Sequence, residues 1–158
     1  MSDPPRWEAN QTGIAYLLGN HRLEHIQASV DAARGLVQQA ALHLQSARTL
    51  AETSDHSMAF IAAYDAARKS LTAILAAQGL RASGGTGGHL VLLDAVRPQF
   101  PDHRRELQRF DWLRTTRNQA QYPDFDTPGV TAEDVASAIP AAESIVQLAG
   151  AYLASLPD

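Results

Sequence analysis

The chain has no cysteine, few aromatic residues and no recognisable strand pattern. The absence of cysteine excludes disulfide bonds, thiolate catalysis and cysteine-ligated zinc or iron–sulfur sites, and it fits a reducing cytoplasm. Aromatic residues make up 6% of the sequence and hydrophobic residues 45%, so alanine and aliphatic side chains must fill the core. This composition favours close contacts between helices over an aromatic-rich sheet.

Long apolar runs and an excess of positive charge are missing as well. No apolar run reaches the roughly eighteen residues that a membrane span needs. The first ten residues carry Pro4, Pro5 and Glu8 in place of a basic start and an apolar core. We therefore expect a cytoplasmic protein that is neither exported nor inserted in a membrane. The net charge of −4 disfavours a globally basic binder of nucleic acid or membrane surfaces, so any basic patch must be local.

Helical periodicity runs through most of the 158 residues. The steps of three and four between apolar residues predict helices over residues 23–51, 55–78, 89–96, 102–122 and 132–156. A chain of this length forms one core, and helices with one apolar face each pack as a bundle. We predict an all-α fold, an antiparallel four- to five-helix bundle over residues 21–158, preceded by a tail with a short helical turn over residues 1–20.

Capping residues mark the ends of two of these helices. Ser54, with Ser57 behind it, is predicted to cap the start of the 55–78 helix, and Gly79 is predicted to end it. Thr131, with Asp134 three residues later, predicts a capping box at the start of the last helix.

One segment of the chain is rich in arginine. Residues 97–117 carry a charge of +3, which leaves −7 for the rest of the chain, and their six arginines are Arg97, Arg104, Arg105, Arg109, Arg114 and Arg117. Arg105 and Arg109 fall opposite the apolar stripe of the predicted helix, which is typical of a solvated face. Arg114 and Arg117 instead continue the stripe, with Gln121 beside them. Because unpaired burial of a guanidinium is costly, these two must pair with an acid, face a cleft or meet another subunit.

The 55–78 helix offers possible partners for these arginines. Arg68 lies on its apolar stripe, and Asp65 lies at the edge of the stripe. Since both helices should turn these seams toward each other, we predict an ion pair between Asp65 and Arg117 or Arg114.

Two further motifs contain residue types found in metal or nucleotide sites. His21, Glu24 and His25 have the H-x-x-E-H spacing of inverted zinc peptidases, but both histidines fall opposite the apolar stripe, and we predict no metal site or cofactor. The glycine-rich stretch over residues 84–88 fits neither nucleotide fingerprint and indicates a flexible connector. His89 follows it directly and is placed to face a cleft.

Three segments together resemble the HEPN superfamily of prokaryotic helical domains: Ala63-Tyr64-Asp65-Ala66-Ala67-Arg68-Lys69, Gly87-Gly88-His89 and Arg117-Asn118-Gln119-Ala120-Gln121-Tyr122. The resemblance implies a four- or five-helix bundle that dimerises and brings an R-N-x-x-x-H motif from each subunit to a shared cleft. It also implies a metal-independent ribonuclease from toxin–antitoxin, CRISPR or phage-defence systems, often encoded beside a nucleotidyltransferase. Arg117 and Asn118 match the motif, and Tyr122 stands where it has histidine.

The tyrosine changes what the resemblance implies for catalysis. A tyrosine of pKa about 10 is ionised to roughly one part in a thousand at pH 7, whereas cleavage needs a group that exchanges a proton near neutrality. The motif positions that the resemblance marks as catalytic are Arg117, Asn118 and Tyr122, and because of the tyrosine we favour a non-catalytic or altered site. The placement of the other residues along the helices predicts a binding role for Arg114, Arg68, Asp65, His89 and Gln121.

Three functions stay open at this point. The favoured one is a homodimeric domain whose arginine-lined cleft binds RNA, a nucleotide or a partner protein with little or no cleavage, in a toxin–antitoxin or defence context. The second is a metal-independent ribonuclease in which Tyr122 or His89 takes the proton. In the third, the arginines are structural and the chain is a scaffold or antitoxin-like partner of another protein, such as a nucleotidyltransferase.

Overall fold

The computed structural model describes residues 7–84, 88–121 and 129–157, and these residues are mainly helical, as predicted. The four longer helices account for most of the core, and the two shorter ones cover its edge. The six α-helices of the described residues are α1 (Gln11–Gly19), α2 (Val30–Ala51), α3 (His56–Ala77), α4 (Gly88–Val96), α5 (Arg104–Gln121) and α6 (Ala132–Ser155). None of them combines the length and the apolar character that a membrane crossing requires.

A two-stranded antiparallel sheet replaces the predicted start of the first long helix. Strand β1 (Leu23–His25) pairs with β2 (Leu80–Ala82), so the prediction of a helix from Leu23 is wrong for residues 23–29. Ser29 has an extended backbone, and its side chain accepts a hydrogen bond from the backbone N–H of Ala32, which starts α2 at Val30. Leu23 continues the helical spacing of apolar residues, but it is buried as part of the sheet and not as part of a helix.

The sheet also shows that the H-x-x-E-H motif does not lie on a helix. His21 lies in a turn with a positive φ, and His25 lies in β1, so the two histidines do not share a helical face. Among the described residues, no three His, Asp or Glu side chains gather closely enough to hold a metal ion.

Helix α3 is the central element, and it contacts α2, α4, α5 and α6. The side chain of Asp55 caps its start by accepting from the backbone N–H of Met58 at 3.1 Å, so the cap lies at neither of the two predicted serines. Gly79 follows the helix with φ of +76°, as its predicted role requires. The four-residue connection over 52–55 makes α2 and α3 an antiparallel hairpin.

The remaining helices close the bundle around α3. Thr131 and Asp134 form the predicted capping box at the start of α6. Leu107, Phe110 and Leu113 of α5 are buried in the core, and this fixes which face α5 turns toward α3. The short α1 buries Ile14 and Leu17 in the same core.

Candidate functional site

A hydrogen bond between Tyr64 and His89 forms the centre of the candidate site. Tyr64 is fully buried in the middle of α3, and its hydroxyl lies 2.6 Å from Nδ1 of His89 in the first turn of α4. The ring of Tyr64 stacks on Phe110 of α5, with centroids 5.4 Å apart. Three helices therefore fix the tyrosine, which in turn orients the partly buried imidazole.

Arginines surround this pair. The guanidinium carbon of Arg117 lies 5.6 Å from the ring centroid of Tyr64, a distance at which a cation and an aromatic face attract. Arg68 forms an ion pair with Asp65 at 3.5 Å, and Arg114 forms one with Asp111 at 2.8 Å. Both pairs join residues three apart on one helix.

Two of these guanidinium groups keep an unused donor. The Nε atoms of Arg114 and Arg117 are buried, and neither has a hydrogen-bond partner within the described part of the chain. A buried N–H without an acceptor costs about 1–3 kcal/mol, and more on a charged group. The two atoms are therefore suited to an acceptor that comes from outside the described residues.

Burial and the neighbouring arginines shift the pKa values of Tyr64 and His89. Burial raises the pKa of Tyr64 to about 12, although Arg117, Arg68 and Arg114 each pull it down. Burial also lowers the pKa of His89, and the same arginines lower it further. At pH 7 the site thus holds a neutral phenol and a neutral imidazole beside three permanent cations.

The neutral states indicate where the imidazole proton lies. The Tyr64 hydroxyl has no other hydrogen-bond partner in the described structure, so its proton is satisfied only if it donates to Nδ1 of His89. In that arrangement His89 carries its own proton on Nε2. We assign this tautomer from the hydrogen-bond pattern, and it makes Nε2–H a donor toward a ligand.

A cavity of about 260 Å³ has His89 in its wall. Arg68 and His89 line it together with Arg81, which is paired with Glu24 across the sheet. The other lining residues are Thr72, Leu75, Ala82, Ser83, Gly84 and Leu92. Apolar walls with a few polar groups are typical of small-molecule sites.

Most of the residues predicted for the site come together, and some do not. Arg68, Arg114 and Arg117 all act electrostatically on Tyr64, and His89 is hydrogen-bonded to it. Asp65 lies beside them but pairs with Arg68, so the predicted ion pair with Arg114 or Arg117 is replaced by contacts within each helix. Local pairs form more readily because residues three apart share a helix face.

The other predicted residues lie at the end of α5. Asn118 and Gln121 are exposed, and neither makes a side-chain hydrogen bond with another described residue. Tyr122, which stands at the histidine position of the motif, lies outside the described residues, as does Gly87. The catalytic roles assigned to Arg117, Asn118 and Tyr122 stay predictions.

The sequence pattern does not mark Tyr64 as a site residue. Its hydroxyl is the signal that was available, because a buried tyrosine normally finds a hydrogen-bond partner. His89, placed at the start of a helix, was the natural candidate for that partner, but a helical pattern does not show which helices touch.

Comparison with known families identifies the family of the chain. A family model described as HEPN domain matches residues 33–152, well over half of the chain. The chain belongs to the HEPN family. The match spans α2 to α6 and so includes every helix that contributes to the site, and the general function of the chain is of the HEPN type. Neither the curated proteins nor the solved structures contain a significant match to it.

Proposed function

We propose that this HEPN domain binds RNA by holding a phosphodiester at the arginine cluster around Tyr64 and His89. The carrying observation is the pair of buried Nε donors, on Arg114 and Arg117, that have no partner within the described residues. A phosphate supplies acceptor oxygens in the geometry that a guanidinium fork matches.

The charge balance of the cluster supports an anionic ligand. Among the described residues, the three guanidinium groups form ion pairs with two carboxylates, those of Asp65 and Asp111, which leaves one positive charge when His89 is neutral. In a chain of net charge −4, this local excess lies where the donors converge. An anion would offset the repulsion among the arginines and would accept hydrogen bonds from the Nε–H groups that have no partner within the described residues.

The adjacent cavity supports a nucleotide unit as the ligand. In this proposal the Nε2–H of His89 and the Arg68 guanidinium, which both belong to cavity-lining residues, would donate to a phosphate bound there. Thr72 and Ser83, which also line the cavity, would offer hydroxyls to a ribose or base edge.

The test is binding of a fluorescently labelled twelve-nucleotide oligouridylate, measured by anisotropy. Arg117→Gln removes the charge and both ends of the guanidinium fork while keeping a helix-forming side chain of similar length. Because a charge-assisted hydrogen bond is worth about 1.5–3 kcal/mol, the variant should bind about 10- to 100-fold more weakly. Arg34→Gln, an exposed arginine of α2, is the control with the same change of charge. Equal weakening by both variants, or none by Arg117→Gln, would overturn the proposal.

A second function, metal-independent cleavage of the bound RNA, is favoured by the neutral state of His89. A neutral imidazole beside three guanidinium groups can exchange a proton while the arginines stabilise charge on the phosphate. In the other tautomer, with the proton on Nδ1, Nε2 of His89 would take the proton of the ribose 2′-hydroxyl as its oxygen bonds to phosphorus. The imidazolium so formed would then protonate the 5′ oxygen as the bond between phosphorus and that oxygen breaks. This function predicts cleavage in EDTA that is lost in His89→Gln and kept in the exposed His25→Gln, and an absence of cleavage in the wild type would rule it out.

We also propose that two copies associate so that α5 of each faces a shared cleft, as the resemblance implies. A toxin–antitoxin or defence role beside a nucleotidyltransferase-type partner belongs to the same proposal. Light scattering of the purified protein tests the first part, and a mass of one chain at micromolar concentration would contradict it.

A further inference from the structure

A second group of arginines lies away from Tyr64, in an open groove of about 550 Å³. The groove is formed by the turn that follows α4 and by the first half of α5. We call it the arginine groove, and the described residues that line it are Arg97, Arg104, Arg105, Gln108, Arg109 and Trp112.

The four cations of the arginine groove are not neutralised by described residues. None of them forms an ion pair with a carboxylate of the described chain, whereas Arg34, Arg48, Arg68, Arg81 and Arg114 all do. Two of the four are oriented by neighbouring groove residues. Arg97 donates to the side chain of Gln108, and the guanidinium of Arg109 lies 5.7 Å from the ring centroid of Trp112.

The position of two of these arginines works against helix stability. Arg104 and Arg105 occupy the first two positions of α5, where the helix dipole favours anions and disfavours cations. They also repel each other and the other groove arginines. An arrangement that lowers the stability of the free protein is expected where a bound anion later offsets the repulsion.

We propose that the arginine groove binds the sugar–phosphate backbone of the same RNA strand whose phosphodiester lies at the Tyr64 site. This inference rests on the proposed function, because it places a second part of one ligand. Arg109 and Arg117 are eight residues apart on α5, which is about 12 Å along the helix axis. A few nucleotides span that distance. The groove contributes charge contacts that do not read sequence, while the Tyr64 site holds one defined phosphate.

The test compares a long and a short ligand on matched variants. Arg104→Gln/Arg105→Gln removes two groove charges at exposed positions, and Arg34→Gln/Arg48→Gln removes two exposed charges on α2. Binding of a twelve-nucleotide oligouridylate is measured between 50 and 200 mM salt, and binding of uridine 3′-monophosphate is measured alongside it. Thermal melting of both variants checks that they are folded.

The proposal predicts a specific pattern. The groove variant binds the oligonucleotide at least tenfold more weakly at 50 mM salt, and its plot of log affinity against log salt is shallower by about 1.4. It binds uridine 3′-monophosphate as the wild type does, and it melts at the same temperature or higher. The α2 variant binds both ligands like the wild type.

Three results would overturn it. If both double variants weaken oligonucleotide binding equally, the effect is one of net charge and not of the groove. If the groove variant leaves the affinity and the salt slope unchanged, the groove does not hold RNA, although loss of monophosphate binding in Arg117→Gln would still uphold the Tyr64 site. If poly-glutamate displaces the oligonucleotide from the groove at equal charge concentration, the groove binds an acidic polypeptide instead. If RNA binds the groove but not the Tyr64 site, Arg117→Gln would change the affinity for neither the oligonucleotide nor uridine 3′-monophosphate.

Discussion

Replacing Tyr64 with phenylalanine isolates the hydroxyl that orients His89. Tyr64→Phe keeps the stack on Phe110 and the aromatic face under Arg117, and it removes only the atom that lies 2.6 Å from Nδ1 of His89. A net hydrogen bond is worth about 0.5–1.5 kcal/mol, and leaving a partly buried acceptor without its partner adds to that. We expect the variant to be about 1–2 kcal/mol less stable than the wild type at pH 8.

This difference should shrink in alkaline solution, because the hydroxyl also titrates. The folded-state pKa of Tyr64 is about 12, raised from 10 by burial, so the unfolded chain loses this proton first as the pH rises. Stability is therefore complete below pH 10 and is lost as the pH rises through the window from 10 to 12. The loss is about 1 kcal/mol at pH 11 and about 3 kcal/mol beyond pH 12. The phenylalanine variant has no such loss, so the two proteins should reach similar stability near pH 11.

Urea unfolding followed by circular dichroism at pH 8, 10 and 11 measures this effect. Other titrating groups contribute equally to both proteins and cancel in the difference. Tyr16→Phe, which changes a tyrosine that is 70% exposed, is the control and should leave the wild-type curve unchanged. A stability difference that is the same at pH 8 and pH 11, or none at pH 8, would refute the burial and the hydrogen bond assigned to Tyr64.

Three further predictions concern stability. Burial lowers the pKa of His43 and His89 below the usual 6.5, so both are neutral at pH 7 and take up protons less readily in the folded than in the unfolded chain. The free energy of unfolding should therefore fall as the pH drops below about 6.5; urea titrations from pH 8 to 5 that show no decrease would contradict this. Gly79→Ala should destabilise by about 1–2 kcal/mol, because alanine is strained at φ of +76° and its Cβ would lie 3.1 Å from the carbonyl oxygen of Ile26; thermal melting at or above the wild-type temperature would be inconsistent with that geometry. Thr131→Ala removes the capping box of α6 and should cost about 1 kcal/mol, which Thr131→Ser should largely restore.

The fold was predictable because the helices carry clear apolar periods and strong end signals. Thr131 with Asp134 and Gly79 gave the start of α6 and the end of α3 correctly. The predicted start of α2 is wrong, because Leu23 keeps the helical spacing while its backbone pairs with a strand nearly sixty residues later. Periodicity reports which side of a residue is buried, and it does not report the distant backbone partner that buries it.

The candidate site was predictable only in part. Arg114 and Arg117 stood out because charge interrupted an apolar stripe, and His89 stood out by its place at a helix start. The hydroxyl of Tyr64 and the carboxylates of Asp65 and Asp111 take partners that depend on how α3, α4 and α5 pack. Two helix faces can be predicted separately, but their rotation against each other is set by side-chain packing along the whole interface.

We propose that the Nε donors of Arg114 and Arg117, which have no partner among the described residues, bind a phosphate. Nuclear magnetic resonance observes these donors directly. The measurement is a titration of the nitrogen-15-labelled protein with uridine 3′-monophosphate, following the arginine Nε–Hε signals and assigning them with Arg114→Lys and Arg117→Lys. Our account predicts that these two signals shift together and saturate, while the signal of the exposed Arg34 stays in place. Saturable binding that shifts other arginine signals and leaves these two unchanged would contradict it.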